Sequence, residues 1–89
     1  MNYDVINEYF VPHGATVNPL TSVHPKKALP HKVKTGDVFK TSHKKLGPDP
    51  FPGIRKDLVV HTVGDDGKIY SWPFPEIVDG NKEIIIIIP

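Results

Sequence analysis

Prolines at positions 12, 19, 25, 30, 48, 50, 52, 73, 75 and 89 cut this chain into pieces, few of them long enough for a helix that avoids one. Inside a helix a proline removes a hydrogen bond and clashes with the preceding turn, at a cost of about 3 kcal/mol. The residues between the prolines point the same way. Valine and isoleucine together number nineteen, leucine and alanine only six. β-Branched side chains lose χ1 freedom on a helix and pack well on a pleated surface. The chain is therefore read as all-β: one small domain over residues 1–89, either a small, partly open β-barrel of SH3-like size or a small sandwich of about five strands with an extended N-terminal arm. A chain of 89 residues buries only roughly 60–65% of its unfolded surface, so its core is thin. It has no cysteine, which excludes disulfides and thiolate zinc sites as staples.

The clearest local unit is C-terminal. Residues 58–63 and 68–72 flank Gly64-Asp65-Asp66-Gly67, and Asp-Gly between β-branched runs signals a tight hairpin. Pro73 and Pro75 then end or bend the second strand, since neither can donate to a ladder. Residues 76–78, a turn at Asp79-Gly80-Asn81-Lys82, and residues 83–88 complete a predicted three-stranded meander over 57–88. Upstream, Thr35-Gly36-Asp37 reads as a turn between strands at 32–33 and 38–41. Residues 47–53, with three prolines, read as an extended loop. Residues 1–31 read as a proline-punctuated arm or loop region and 32–88 as the β core. Residues 3–11 stay open: Ile6 with Phe10 and Val5 with Tyr9 have helical spacing, yet the residue types suit a strand.

Charge is segregated along the chain. Residues 24–45 carry seven lysines and three histidines against Asp37 alone, a balance of +6. Residues 1–23 carry −2, and residues 46–89 carry −3. Such a basic strap can steer a partner or bind another copy of the chain. Its lysines are Lys26, Lys27, Lys32, Lys34, Lys40, Lys44 and Lys45. The strap has no arginine for bidentate contact to guanine and a single aromatic, Phe39. Any nucleic-acid binding would thus be electrostatic and sequence-tolerant. A solvated basic face is the plainer expectation.

Ile84 to Ile88 form an unbroken apolar run. A half-exposed strand alternates apolar with polar, so this run predicts cover on both faces. Either it is a central core strand, or a neighbouring subunit covers one side. The candidate subunit interface is accordingly Ile84, Ile85, Ile86, Ile87 and Ile88, together with Trp72 and Phe74, which the prolines at 73 and 75 stiffen.

No catalytic signature stands out. Histidines at 13, 24, 31, 43 and 61 lack the two- or four-residue spacing of strand or helix metal sites, so no metal or cofactor is assigned. A metal-independent ribonuclease would need a base, an acid and a cation, for which His61, Glu76 or Glu83, and Arg55 or Lys56 are available. Gly67-Lys68-Ile69-Tyr70-Ser71-Trp72 resembles, over those six residues, a segment of small bacterial ribonuclease toxins. The surrounding catalytic spacing is missing. The N-terminus lacks the basic and apolar regions of a signal peptide, and the apolar run is far shorter than the ~20 residues of a membrane span. The expectation is a non-enzymatic assembly or binding subunit, cytoplasmic or in a virion as a viral or phage structural or accessory protein. It would act through protein–protein contacts, as a homo-oligomer, with no membrane partner. The alternative is an electrostatic nucleic-acid binder or small ribonuclease.

Overall fold

The computed structural model describes residues 1–75 and 83–89, the side chains of His43 and Glu83 excepted. These residues form strands β1 (Asn2–Pro12), β2 (Lys32–Lys34) and β3 (Val38–Ser42), a helical turn α1 (His43–Leu46), and strands β4 (Lys56–Gly64), β5 (Ile69–Pro75) and β6 (Glu83–Ile87). They make a four-stranded sheet, ordered β2-β1-β4-β5, and a two-stranded ribbon of β3 and β6. Every pairing is antiparallel. The composition's all-β expectation holds, in the form of a small two-layer sandwich and not a closed barrel.

β1 is the main departure from the sequence reading. It lies between β2 and β4, so residues 2–12 are an interior strand and only residues 13–31 run as an arm. Its pairing with β4 skips a residue between Val5↔Thr62 and Asn7↔His61. Ile6 is that extra residue, and a bulge of this kind reverses which alternate side chains face inward. Tyr3 and Val5 join the main core before it and Phe10 after it, whereas Tyr9 and Val11 face the opposite side. Neither a helical nor a simple alternating pattern fits such a segment.

The arm turns back along the free edge of β1. The N–H of Phe10 donates to the Val23 carbonyl (2.8 Å) and that of Val5 to the His31 carbonyl (2.7 Å), before β2 pairs Val33 with Tyr3. The turn expected at 35–37 is present, with Gly36 at φ +91°, but the strands it joins belong to different layers. Asp37 fixes this corner by accepting the Lys34 N–H at 3.0 Å. Ile88 then exchanges bonds with Gly36 and Asp37 at 2.9 Å, anchoring the end of β6.

The hairpin at 64–68 also forms. Gly67 has φ +78°, its N–H donates to the Gly64 carbonyl (3.0 Å), and the Gly64 N–H donates to the Lys68 carbonyl (2.9 Å). The expected meander does not continue beyond it: β6 pairs with β3, from Val38↔Ile87 to Ser42↔Glu83. The strand at 76–78 and the turn at 79–82 lie outside the described residues.

The core fills the space between the layers. Tyr3, Phe10, Leu58 and Val60 from the sheet meet Ile84, Ile86 and Ile88, with Leu29, Val33 and Leu46 closing the ends. Tyr3 sits edge-on to Tyr70 (ring centroids 5.6 Å apart) and to Trp72 (4.6 Å). A smaller cluster of Tyr9, Val11 and Val59, covered by Val17 of the arm, packs on the sheet's far side.

Candidate interaction surface

Strand periodicity divides the isoleucine run. Ile84, Ile86 and Ile88 are almost fully buried in the core, whereas Ile85 and Ile87 are 56% and 58% exposed. The structure thus removes Ile84, Ile86 and Ile88 from the candidate interface: a two-residue repeat turns them inward. The expectation that both faces would be covered is met on one face only. Trp72 and Phe74, with Tyr70, alternate to the core-facing side of β5, where they are half-buried against the core.

Directly opposed residues of an antiparallel pair share a face. Val38 pairs with Ile87, Lys40 with Ile85 and Ser42 with Glu83, so these three pairs of positions share the outer face of the ribbon. Val38 is also 56% exposed. The result is an apolar surface on a narrow two-stranded ribbon, with one lysine at its centre. The sequence reading missed Val38; its register against Ile87, a pairing across some fifty residues, has no local signal.

All seven strap lysines are exposed. They lie on the arm (Lys26, Lys27), the edge strand β2 (Lys32, Lys34), β3 (Lys40) and α1 (Lys44, Lys45). The Lys26 N–H donates to the Leu46 carbonyl (3.1 Å), bringing the arm beside α1. Among the described residues none of the seven joins an ion pair. Close polar pairing goes to other groups. Lys56, 1% exposed, meets the Asp49 carboxylate at 2.9 and 3.1 Å, and His13 Nδ1 donates to Asp57 at 2.8 Å.

The arm is braced by Glu8. Both oxygens of this buried carboxylate accept the Ala28 N–H at 3.2 Å, and its carbonyl accepts from His24 Nδ1 at 3.1 Å. Burial pushes the Glu8 carboxyl above its ordinary value of 4.5, against the opposing pull of the Ala28 and Leu29 amides and Lys27. In the hairpin the Tyr70 hydroxyl donates to Asp66 at 2.6 Å, a bond that pushes the phenol up to about 12 and holds the Asp66 carboxyl down.

The ribonuclease constellation does not come together among the described residues. His61 faces the outer side of β4, packed against Tyr9 (5.1 Å between centroids) in a cavity it shares with Thr16, Val17, Val59, Ser71 and Pro73. Lys56 has the opposite parity on β4 and is held by Asp49, while Arg55 lies exposed before the strand begins. Glu76 and the Glu83 side chain lie outside the described residues. Among the described residues no three His, Cys, Asp or Glu side chains are grouped to hold a metal, and no helix is long and apolar enough to cross a membrane.

No protein-family model, curated protein or solved structure matches the chain. The class that the fold itself defines is a small all-β domain of two antiparallel sheets.

Proposed function

We propose that this protein is a non-enzymatic assembly or binding subunit, of the structural or accessory kind found in viruses and phages. It works by protein–protein contact through the outer face of the β3–β6 ribbon, with a second copy of itself as partner. The observation that carries this is the exposure of Val38, Ile85 and Ile87 on one face, beside Ile84 and Ile86 that already fill the core. The three side chains present roughly 300 Å² of apolar surface, so two stacked faces gain about 15 kcal/mol gross at ~25 cal/mol per Å². Association itself costs roughly 4–15 kcal/mol. A reversible dimer follows, not a permanent one.

The test is sedimentation equilibrium at about 0.5 M NaCl, where charge repulsion is screened within a few ångströms. Wild type should show a concentration-dependent monomer–dimer equilibrium. Ile85→Thr/Ile87→Thr should remain a folded monomer, because a buried hydroxyl penalises the contact while strand propensity is kept. Wild type monomeric at every concentration would overturn the reading.

A second reading has its own observation, the seven exposed lysines, none of which joins an ion pair among the described residues. They suit a phosphate-rich polyanion such as single-stranded nucleic acid. Replacing Lys26, Lys27, Lys44 and Lys45 with Gln should weaken binding to an oligonucleotide and flatten its salt slope by up to about four units. An unchanged slope would leave the lysines as a solvated face.

A further inference from the structure

The arm leaves a cavity on the far side of the sheet, away from the ribbon. Residues 15–17 form one wall, and Val59, His61, Ser71 and Pro73 form the floor and the other, around about 410 Å³. Cavities that take small ligands measure roughly 300–1,000 Å³ and combine an apolar lining with a few convergent polar groups. Strand register builds this floor. His61 of β4 stands opposite Ser71 of β5, and Val59 opposite Pro73, so each pair shares the outer face with Cβ atoms roughly 5 Å apart.

The arm wall is held in place. The Ala15 N–H donates to the Pro12 carbonyl and the His13 N–H to the Arg55 carbonyl, both at 2.9 Å. The His13 ring is fixed by Asp57, and Val17 packs on Tyr9, Val11 and Val59. Little ordering is then left for a ligand to impose, which favours binding.

The lining sets the chemistry. Ala15, Val17, Val59 and Pro73 are apolar, while the Thr16 and Ser71 hydroxyls and the His61 ring have no hydrogen bond to another described residue. Tyr9 packs against the His61 ring, with centroids 5.1 Å apart, and steadies it beside Ser71. Among the described residues no Asp, Glu, Lys or Arg lines the cavity. A charged group entering it would lose water without a fixed counter-charge.

We propose that this cavity binds a small uncharged ligand, an apolar body of ring size carrying one hydroxyl or amide group. The body rests against Val17, Val59 and Pro73, and the polar group exchanges hydrogen bonds with Thr16, His61 and Ser71. The site is separate from the ribbon and independent of the assembly reading.

The test is an NMR titration of the 15N-labelled protein with phenol, using benzoate and benzylammonium as charged controls of similar size. Phenol should give saturable shifts centred on Thr16, Val17, His61 and Ser71, and each control should bind at least about tenfold more weakly. Thr16→Val/Ser71→Ala should weaken phenol about tenfold by removing two hydrogen-bonding groups. Ser71→Trp, shown to be folded by circular dichroism, should fill the cavity and abolish saturation. Ile85→Thr/Ile87→Thr should bind phenol as wild type does. Phenol shifts that fail to saturate, centre elsewhere or persist in Ser71→Trp would overturn the site. Charged controls that bind as tightly as phenol would overturn the ligand class.

Discussion

Burial holds the Glu8 carboxyl above its ordinary 4.5, so the fold binds its proton more tightly than the unfolded chain does. By linkage the Glu8 contribution to stability is full below the unfolded value and is lost as pH rises through the folded one. Urea denaturation at pH 7 and about pH 5 should therefore show wild type gaining on Glu8→Gln as the pH falls; an unchanged difference would contradict the assignment. Thr62 gives a second residue-scale expectation. It is fully buried, and its hydroxyl has no hydrogen-bond partner among the described residues. A polar group so placed costs more than it returns, and Thr62→Val should stabilise by about 1 kcal/mol. A loss of similar size would mean the hydroxyl is satisfied. Gly67 is conformationally demanding in the usual sense: at φ +78° a β-branched side chain is strained, and Gly67→Val should cost roughly 1–2 kcal/mol in the same assay.

At the scale of elements, what the sequence reveals depends on how local the cause is. The 64–68 hairpin is legible because Asp66 and Gly67 specify it within four residues. The alternation of Ile84–Ile88 is legible once a strand is assumed, but which set faces inward is not, since all five residues are the same. β1 is hidden by the bulge at Ile6, which breaks its period halfway along. The β3–β6 ribbon is hidden by distance, and with it the surface that Val38 and Ile87 share. Lys56 misleads for another reason: beside Arg55 it is available in sequence as a phosphate-binding cation, yet it is buried against Asp49 and ties the proline-rich 47–53 loop to the start of β4. Asp49→Ala should cost about 3 kcal/mol by leaving the ammonium buried without its carboxylate. Adding Lys56→Met should recover much of that loss in a double-mutant cycle. Additive losses would show that the two side chains act independently.

For the whole molecule, a thin core explains why the ribbon is half-covered. One sheet fills the inner side of β6, and no described element covers the other. In the proposed role, the uncovered side of the ribbon would complete its burial against another copy. Methyl NMR with labelled isoleucine tests this most directly. On raising protein concentration at about 0.5 M NaCl, the δ1 methyls of Ile85 and Ile87 should shift and show intermolecular contacts with Val38, while those of Ile84, Ile86 and Ile88 stay unchanged. If Ile85 and Ile87 remain in water at the highest concentration, with no contact to a second copy, the account of this surface is wrong.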